Sequence, residues 1–362
     1  MKQKFKVALL VGAMLGAGFS APLQATTAKK TEHHAAKKAV VPATKHSHAA
    51  KKPVTKTAAK MAPVKSASSK APLKSAKAHG HKAGKTLHAA VQVPKKAVRR
   101  VSFADIDPNR LALYSSSALV IDQNTGQALL EKQPDTVVPI ASISKLMTAM
   151  VVLDAKLDMQ EVIGIGDEEI DGLKGTRSRL PVGTTMTRET AMLLALMSSE
   201  NRAAHALGRH YPGGLPAFVI AMNKKARSLG MLHSSFEEPT GLSSNNVSTA
   251  HDLARMVAAA ARYPEIRGFS TTSEAKVELN GRISEFHNTN ALVRSDTWEI
   301  GVSKTGYISE AGRCLVMQAR VADKPVVIVL LDSVGKMTRV GDANRIKRWM
   351  ESASLVSDRR PA

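Results

Sequence analysis

The stretch from Thr26 to Arg100 sets the limits of any fold: 75 residues hold 19 Lys or Arg against one acidic residue, Glu32, and almost no large apolar side chain. Such a segment has nothing to bury against the entropy of ordering itself. It is expected to be disordered, with a coil span of roughly 45–50 Å, so whatever folds in this 362-residue chain folds after it. The same stretch carries +18 of the net charge of +22, whereas residues 101–362 hold 30 basic and 29 acidic side chains. A basic total suggests a nucleic-acid binder, but here the excess lies outside the fold. Seven of the 12 His lie there too, so its charge grows as pH falls through about 6.5. AAKK recurs at 35–38 and 49–52 without a fixed period, and no repeat fold follows.

Ahead of the tail, Lys2, Lys4 and Lys6 precede an apolar run, Val7 to Phe19, too short to span roughly 30 Å of hydrocarbon as a helix. That pattern reads as a cleavable secretory signal peptide, with cleavage after Ala25. Export puts acidic wall polymers and lipid head groups, rather than nucleic acid, within reach of the tail. It is expected to be a salt-sensitive anchor on an anionic wall or membrane surface, or a spacer without a partner. Cys314 stands alone, which excludes an internal disulfide, and no Cys or His spacing offers a zinc site; no metal or cofactor is expected. His205, His210, His233, His251 and His287 share no spacing and read as structural or exposed. The expected organisation is a signal peptide at 1–25, a disordered tail at 26–105, a folded domain at 106–355 and a flexible C-terminus at 356–362.

Within the folded part, two strand-like runs, Ser117 to Asp122 and Gln127 to Lys132, flank Gln123-Asn124-Thr125-Gly126 and predict a hairpin. Ile143, Leu146, Met147, Met150 and Val151 recur at three and four and predict a helix. Thr187 opens a second helix whose run Ala191 to Met197 is apolar nearly all round, and therefore central. Thr249 with Asp252 opens another that ends before Pro264. Strands follow near Glu299–Thr305, Cys314–Val321 and Pro325–Asp332, then an amphipathic helix from about Asp342 to Ser352. The expected class is α/β (α+β): an antiparallel sheet with packed helices plus an inserted all-helical subdomain.

Ser-x-x-Lys on a helix brings hydroxyl and amine onto one face. The pattern occurs three times in the folded part, at Ser142–Lys145, Ser273–Lys276 and Ser333–Lys336. Ser142 stands out because Pro139-Ile140-Ala141 precedes it and a strong helical stripe follows, which places its hydroxyl at a helix N-terminus; a simple cap is the other reading. Ser199-Glu200-Asn201 follows the central helix, and Lys304-Thr305-Gly306, which occurs once, ends a strand. Ser-x-x-Lys, Ser-x-Asn and Lys-Thr-Gly in that order form the signature of penicillin-binding proteins and class A β-lactamases.

The stretches Pro139 to Met150, Leu196 to Ala204, Glu238-Pro239-Thr240-Gly241-Leu242 and Lys304-Thr305-Gly306-Tyr307 with Ala311-Gly312 together resemble the low-molecular-mass penicillin-binding proteins. More closely, the chain resembles their D-alanyl-D-alanine endopeptidase branch, the periplasmic penicillin-binding protein 7 type of the D-Ala-D-Ala carboxypeptidase peptidase family. The resemblance covers about residues 110–352 and not the tail. It implies a β-lactamase/transpeptidase-like fold, a periplasmic location, peptidoglycan cross-links as substrate and β-lactams as inhibitors.

It also implies roles. Ser142 is the nucleophile and Lys145 the general base, which must be neutral although an unperturbed Lys is so only about once in 2,500 at pH 7. Burial and the nearby cation of Lys304 are expected to depress it. Ser199 relays a proton to the leaving amine and Asn201 orients the substrate amide. Lys304 and Thr305 attract a carboxylate, Gly306 lets substrate lie close to the strand, and the N–H groups of Ser142 and Tyr307 form an oxyanion hole. Substrate adds to the strand edge.

Three other readings remain. A class A β-lactamase needs a Glu-x-x-Leu-Asn loop, but Glu238 is followed by Pro239-Thr240-Gly241-Leu242, so slow deacylation of penicillin is expected. A carboxypeptidase usually carries a further β-rich domain and a C-terminal amphipathic helix, whereas about 30 residues follow Asp332. A non-catalytic wall-binding protein would owe its function to the tail alone.

Overall fold

The computed structural model describes Asp107 and residues 110–357. The signal peptide expected at 1–25, the tail expected at 26–105 and residues 358–362 lie outside the described residues.

The chain opens with the expected hairpin, β1 (Ser115–Asp122) and β2 (Ala128–Lys132). Asp122 shapes the turn: its carboxylate accepts the Asn124 N–H at 2.9 Å, and its carbonyl accepts that of Gly126, whose φ is +73°. A short strand β3 (Val138–Pro139) and a 3-10 turn (Ala141–Ile143) lead into α1 (Ser144–Asp154). Then come β4 (Val162–Gly164), β5 (Thr185–Thr187), α2 (Arg188–Met197), α3 (Asn201–Arg209) and α4 (Gly214–Ser228). β6 (Val247–Ser248), α5 (Ala250–Ala260) and α6 (Pro264–Thr271) follow. A second hairpin, β7 (Glu274–Leu279) and β8 (Arg282–His287), precedes the meander β9 (Glu299–Ile308), β10 (Gly312–Val321) and β11 (Lys324–Ser333), and α7 (Thr338–Ser357) ends the described chain.

Five strands form one antiparallel sheet in the order β2-β1-β11-β10-β9. β1 pairs with β11 from Ser115↔Ser333 to Asp122↔Val326, so the first and last strands of the domain lie side by side at its centre. Strand alternation sorts the residues into two layers. Leu119, Val316, Val327 and Val329 join the helices α1, α2 and α5 in one core, while Val120, Leu315, Ile328 and Leu330 pack against Ala343, Ile346 and Trp349 of α7 in another.

The caps read from sequence are in place: Thr187 accepts the N–H of Thr190, and Thr249 that of Asp252, each at 3.1 Å. α2 is buried on nearly every side, as its all-round apolar run requires. The insertion between β2 and β9 also holds three small antiparallel pairs, β3–β6, β4–β5 and β7–β8, the first two only two or three residues long. Segments that short carry no readable alternation.

One buried carboxylate ties the two ends of the fold together. Asp342 of α7 accepts from the Ser115 N–H (2.8 Å) and hydroxyl (2.7 Å), from the Tyr114 N–H (3.1 Å) and from Arg345 (2.9 Å). Replacing it strands those donors away from water. Asp342→Ala is expected to lower stability by about 2–4 kcal/mol, read as a drop in the urea midpoint with an unchanged slope. A midpoint equal to that of the native protein would show the cluster to be dispensable.

Candidate active site

The groove is built around a turn that is held from behind. Ser142 sits in the 3-10 turn that feeds α1, and Ala141 before it has φ +50°. The Ile140 N–H donates to the Asn246 carbonyl at 3.0 Å, and Asn246 Nδ2 donates to Ser144 Oγ, which in turn donates to the Ala141 carbonyl, each at 2.9 Å. Gly241, at φ +81°, packs on the same backbone: a Cβ there would lie 1.9 Å from the Ala141 oxygen and 2.7 Å from the Ser142 nitrogen. No other residue fits. The Gly241 loop is wired by Glu238, whose carboxylate accepts from the Thr240 N–H and hydroxyl and the Gly241 N–H, each at 2.6 Å, and from the Ser243 N–H at 3.3 Å.

Lys145, one turn on, is fully buried, and its Nζ meets three oxygens: Ser142 Oγ at 2.8 Å, Asn201 Oδ1 at 2.7 Å and the Thr240 carbonyl at 2.7 Å. Two of these can only accept. A neutral amine has two hydrogens and one lone pair, so with both hydrogens committed to Asn201 and Thr240 its lone pair faces the Ser142 hydroxyl. Burial pushes the Lys145 ammonium down to about 7, against the carboxylates of Glu238 and Glu200, which favour the charge. The sequence reading gave Lys304 part of this work. Burial is the leading cause of the depression of Lys145, and the repulsion between the two lysines disfavours charging both at once. Burial first, then the charges of Lys145 and Arg339, hold Lys304 well below the usual lysine range.

Ser199 lies between the lysines' two walls, in the corner joining α2 to α3, with φ +62°; Lys304 Nζ donates to its hydroxyl at 2.9 Å. Asn201 starts α3, which fixes its amide toward Lys145 while its Nδ2 donates to Thr176 Oγ1 at 3.1 Å. Glu200 points the other way, accepting from Ser178 (2.7 Å) and Arg179 (2.8 Å).

β9 forms the far wall and is the edge strand of the sheet, unpaired by any described strand on its outer side. The Ser303 N–H donates outward to Ser270 Oγ of α6 at 3.3 Å. By the two-residue alternation, the N–H groups of Thr305 and Tyr307 point to the same outer edge, beyond the reach of α6. On the inner edge, Arg339 of α7 donates to the carbonyls of Gly306 (3.0 Å) and Cys314 (3.3 Å). The space left by the missing Gly306 side chain is filled by the nucleophile turn: a Cβ would lie 2.9 Å from the Ile140 oxygen and 3.2 Å from the Ser142 nitrogen. Gly306 therefore admits Ser142's own backbone to the strand, where the sequence reading had it admit substrate. Thr305 Oγ1 donates to Thr289 Oγ1 at 2.7 Å, and Tyr307 stands 56% exposed beneath the Arg313 guanidinium, 4.5 Å from its ring.

The structure thus gathers Ser142, Lys145, Ser199, Asn201 and the 304–307 strand around one groove. The other two Ser-x-x-Lys copies are not helical: Ser273–Lys276 runs into β7 and Ser333–Lys336 leaves the end of β11. Ser142 makes no capping bond to α1. Sequence reasoning quoted the 238–242 stretch without seeing that its carbonyl and glycine form the back wall. It missed Thr176 and Arg339 altogether, neither of which belongs to a recognisable pattern.

A sequence model of the D-alanyl-D-alanine carboxypeptidase family matches residues 104–335. The D-alanyl-D-alanine endopeptidase of Pseudomonas aeruginosa is 50% identical over 252 residues, which cover 69% of this chain and 81% of that relative. Its namesake in Escherichia coli is 44% identical over 272 residues, covering 75% and 87%. Among solved structures, the DD-transpeptidase of Streptomyces K15 superposes with a TM-score of 0.61 at 27% identity, covering 66% of this chain and 97% of that one. Penicillin-binding protein D2 of Listeria monocytogenes, in its ampicillin-bound form, gives 0.57 at 28% identity, covering 67% and 98%.

A base that titrates near 7 leaves a mark. The neutral, proton-accepting fraction of Lys145 grows as pH rises, so acylation of Ser142 by a small β-lactam should climb about tenfold per unit below pH 7 and level off above it. Stopped-flow acylation between about pH 5 and 9 reads the profile; a rate that is flat across neutrality would exclude Lys145 as the base.

Proposed function

Because the chain belongs to the D-alanyl-D-alanine carboxypeptidase family, we propose that its groove is the site of a serine D,D-peptidase that opens the D-Ala–diaminopimelate cross-links of peptidoglycan. The observation that carries the reading is the Lys145 amine, buried and 2.8 Å from Ser142 Oγ with both its hydrogens engaged elsewhere.

Lys145 takes the Ser142 proton as Oγ attacks the D-Ala carbonyl. The developing oxyanion is taken by the N–H groups of Ser142, whose backbone packs against Gly306, and of Tyr307, the next residue of the strand. The Ser199 hydroxyl, held by Lys304, hands a proton to the departing amine and takes in return the one that Lys145 has gained, so that the amide bond breaks to leave an ester on Ser142 with Lys145 neutral again. Water then hydrolyses the ester with Lys145 again as base. Asn201 holds the substrate amide as well as the lysine. The leaving side of the cross-link carries a carboxylate. The Lys304 amine and the Thr305 hydroxyl, on the strand that walls the groove, are the groups that attract it. β-Lactams are inhibitors because they acylate Ser142, and Glu238, the carboxylate behind the nucleophile, is committed to its loop rather than to clearing them.

The endopeptidase assignment is supported by the relatives at 44–50% identity, both named for that activity. Among the described residues no helix is long and apolar enough to cross a membrane. The proposed setting is the periplasm, reached through the signal peptide of residues 1–25, with the basic tail of residues 26–100 resting on an anionic wall or membrane surface.

Digestion of purified cross-linked muropeptides, followed by chromatography, should convert dimers into monomers, and Ser142→Ala should slow this by about a thousandfold or more. Release of D-Ala from pentapeptides with dimers left intact would make the protein a carboxypeptidase instead. Full-length protein should pellet with wall or membrane fragments at low salt and be released at high salt, whereas a Thr26–Arg100 deletion should stay soluble throughout. Equal binding of the two proteins would remove the anchoring role.

A further inference from the structure

An ion pair crosses the groove beyond the nucleophile. Lys174 lies in the loop beside α3, Glu310 in the turn between β9 and β10, and their side chains meet. The Lys174 loop is held from within: Asp171 accepts from the N–H groups of Leu173 (2.8 Å), Lys174 (2.9 Å) and Thr176 (2.8 Å) and from the Thr176 hydroxyl (2.6 Å). Thr176 is in turn bonded to Asn201. The contacts close a ring, from Ser142 through Lys145, Asn201, Thr176, Lys174 and Glu310 back along β9 to Gly306, which touches the Ser142 backbone.

A peptide laid on the outer edge of β9 with its reacting carbonyl at Ser142 must, on one side, run past Tyr307 toward Glu310. Glu310 stands just past the end of β9 at Ile308, in the turn to β10, and so at the end of the groove toward which that side of the peptide runs. There the peptide meets two opposite charges that already hold each other. The side chains of Lys174 and Glu310 are 26% and 42% exposed. A pair so open to water is weak and is readily exchanged for another of the same pattern.

Resting on the endopeptidase reading above, we propose that Lys174 and Glu310 separate on binding and select a stem-peptide residue whose side chain ends as an amino acid, as diaminopimelate does: Glu310 takes its ammonium and Lys174 its carboxylate. A stem with lysine, or with the side-chain carboxylate amidated, satisfies Glu310 alone and leaves Lys174 without its partner. The ion pair then specifies the residue next to the reacting D-Ala, and no catalytic step passes through it.

Tetrapeptides that retain a single D-Ala offer no D,D bond to cleave, so they report binding without turnover. Their ability to slow labelling of Ser142 by fluorescent penicillin, in the full-length protein, gives an affinity for the diaminopimelate form and for its side-chain amide. The native protein should prefer the former by about tenfold, the scale of one charge-assisted contact. In Lys174→Met the preference should fall to within about threefold, whereas Glu310→Gln, which leaves Lys174 for the carboxylate, should keep it. Each ratio is measured within one protein, so a general change in the variant's folding or labelling rate cancels. A native ratio within about threefold, a preference that survives in Lys174→Met, or one that is lost in Glu310→Gln overturns the proposal. If dimers survive digestion, the endopeptidase reading fails separately, while this ratio still decides the ion pair.

Discussion

A lysine denied water is the constraint on which the rest of this domain depends. As a base Lys145 needs a neutral amine, and its charge is disfavoured because α1, the start of α3 and the 238–243 loop enclose it. Each wall has a second duty. Asn201 and the Thr240 carbonyl take both hydrogens and so aim the lone pair, while Gly241 gives up its side chain to let the loop approach. A hydrophobic enclosure alone would depress the amine without directing it.

The fold serves that enclosure economically. α2 is buried as the pivot of the helical region, and its C-terminal corner delivers Ser199 and Asn201 against β9. β9 could not be an inner strand, since its free N–H groups at 305 and 307 are the ones a peptide needs. The Ser303 N–H is taken by α6 and the nucleophile turn packs against Gly306, while Tyr307 stands exposed.

Much of this was legible in the residues, for reasons that differ by element. Long periodic segments such as α1 and α2, the Thr187 and Thr249 caps and the three-stranded meander at the end all carry local signals strong enough to survive tertiary packing. The three motifs of the candidate site were readable because they sit at fixed structural positions: a helix start, a helix corner and a strand end. The two- and three-residue strands were not, nor was Arg339, which reaches Gly306 from a helix whose sequence shows only ordinary amphipathic character. Burial and a second lysine could both be named from sequence as causes of a low Lys145 pKa, but they could not be weighed against each other. Proximity of two lysines can be inferred from motifs, but the completeness of burial cannot.

The wiring of Glu238 has an evolutionary corollary. In an antibiotic-exposed population, the obvious route to drug-destroying ability would be to recruit this acid to activate water. That route is closed, because freeing its oxygens would unravel the loop that holds Gly241 and, through it, the nucleophile itself. Resistance in such a scaffold has to arise at the rim of the groove, where side chains can change without dismantling its floor.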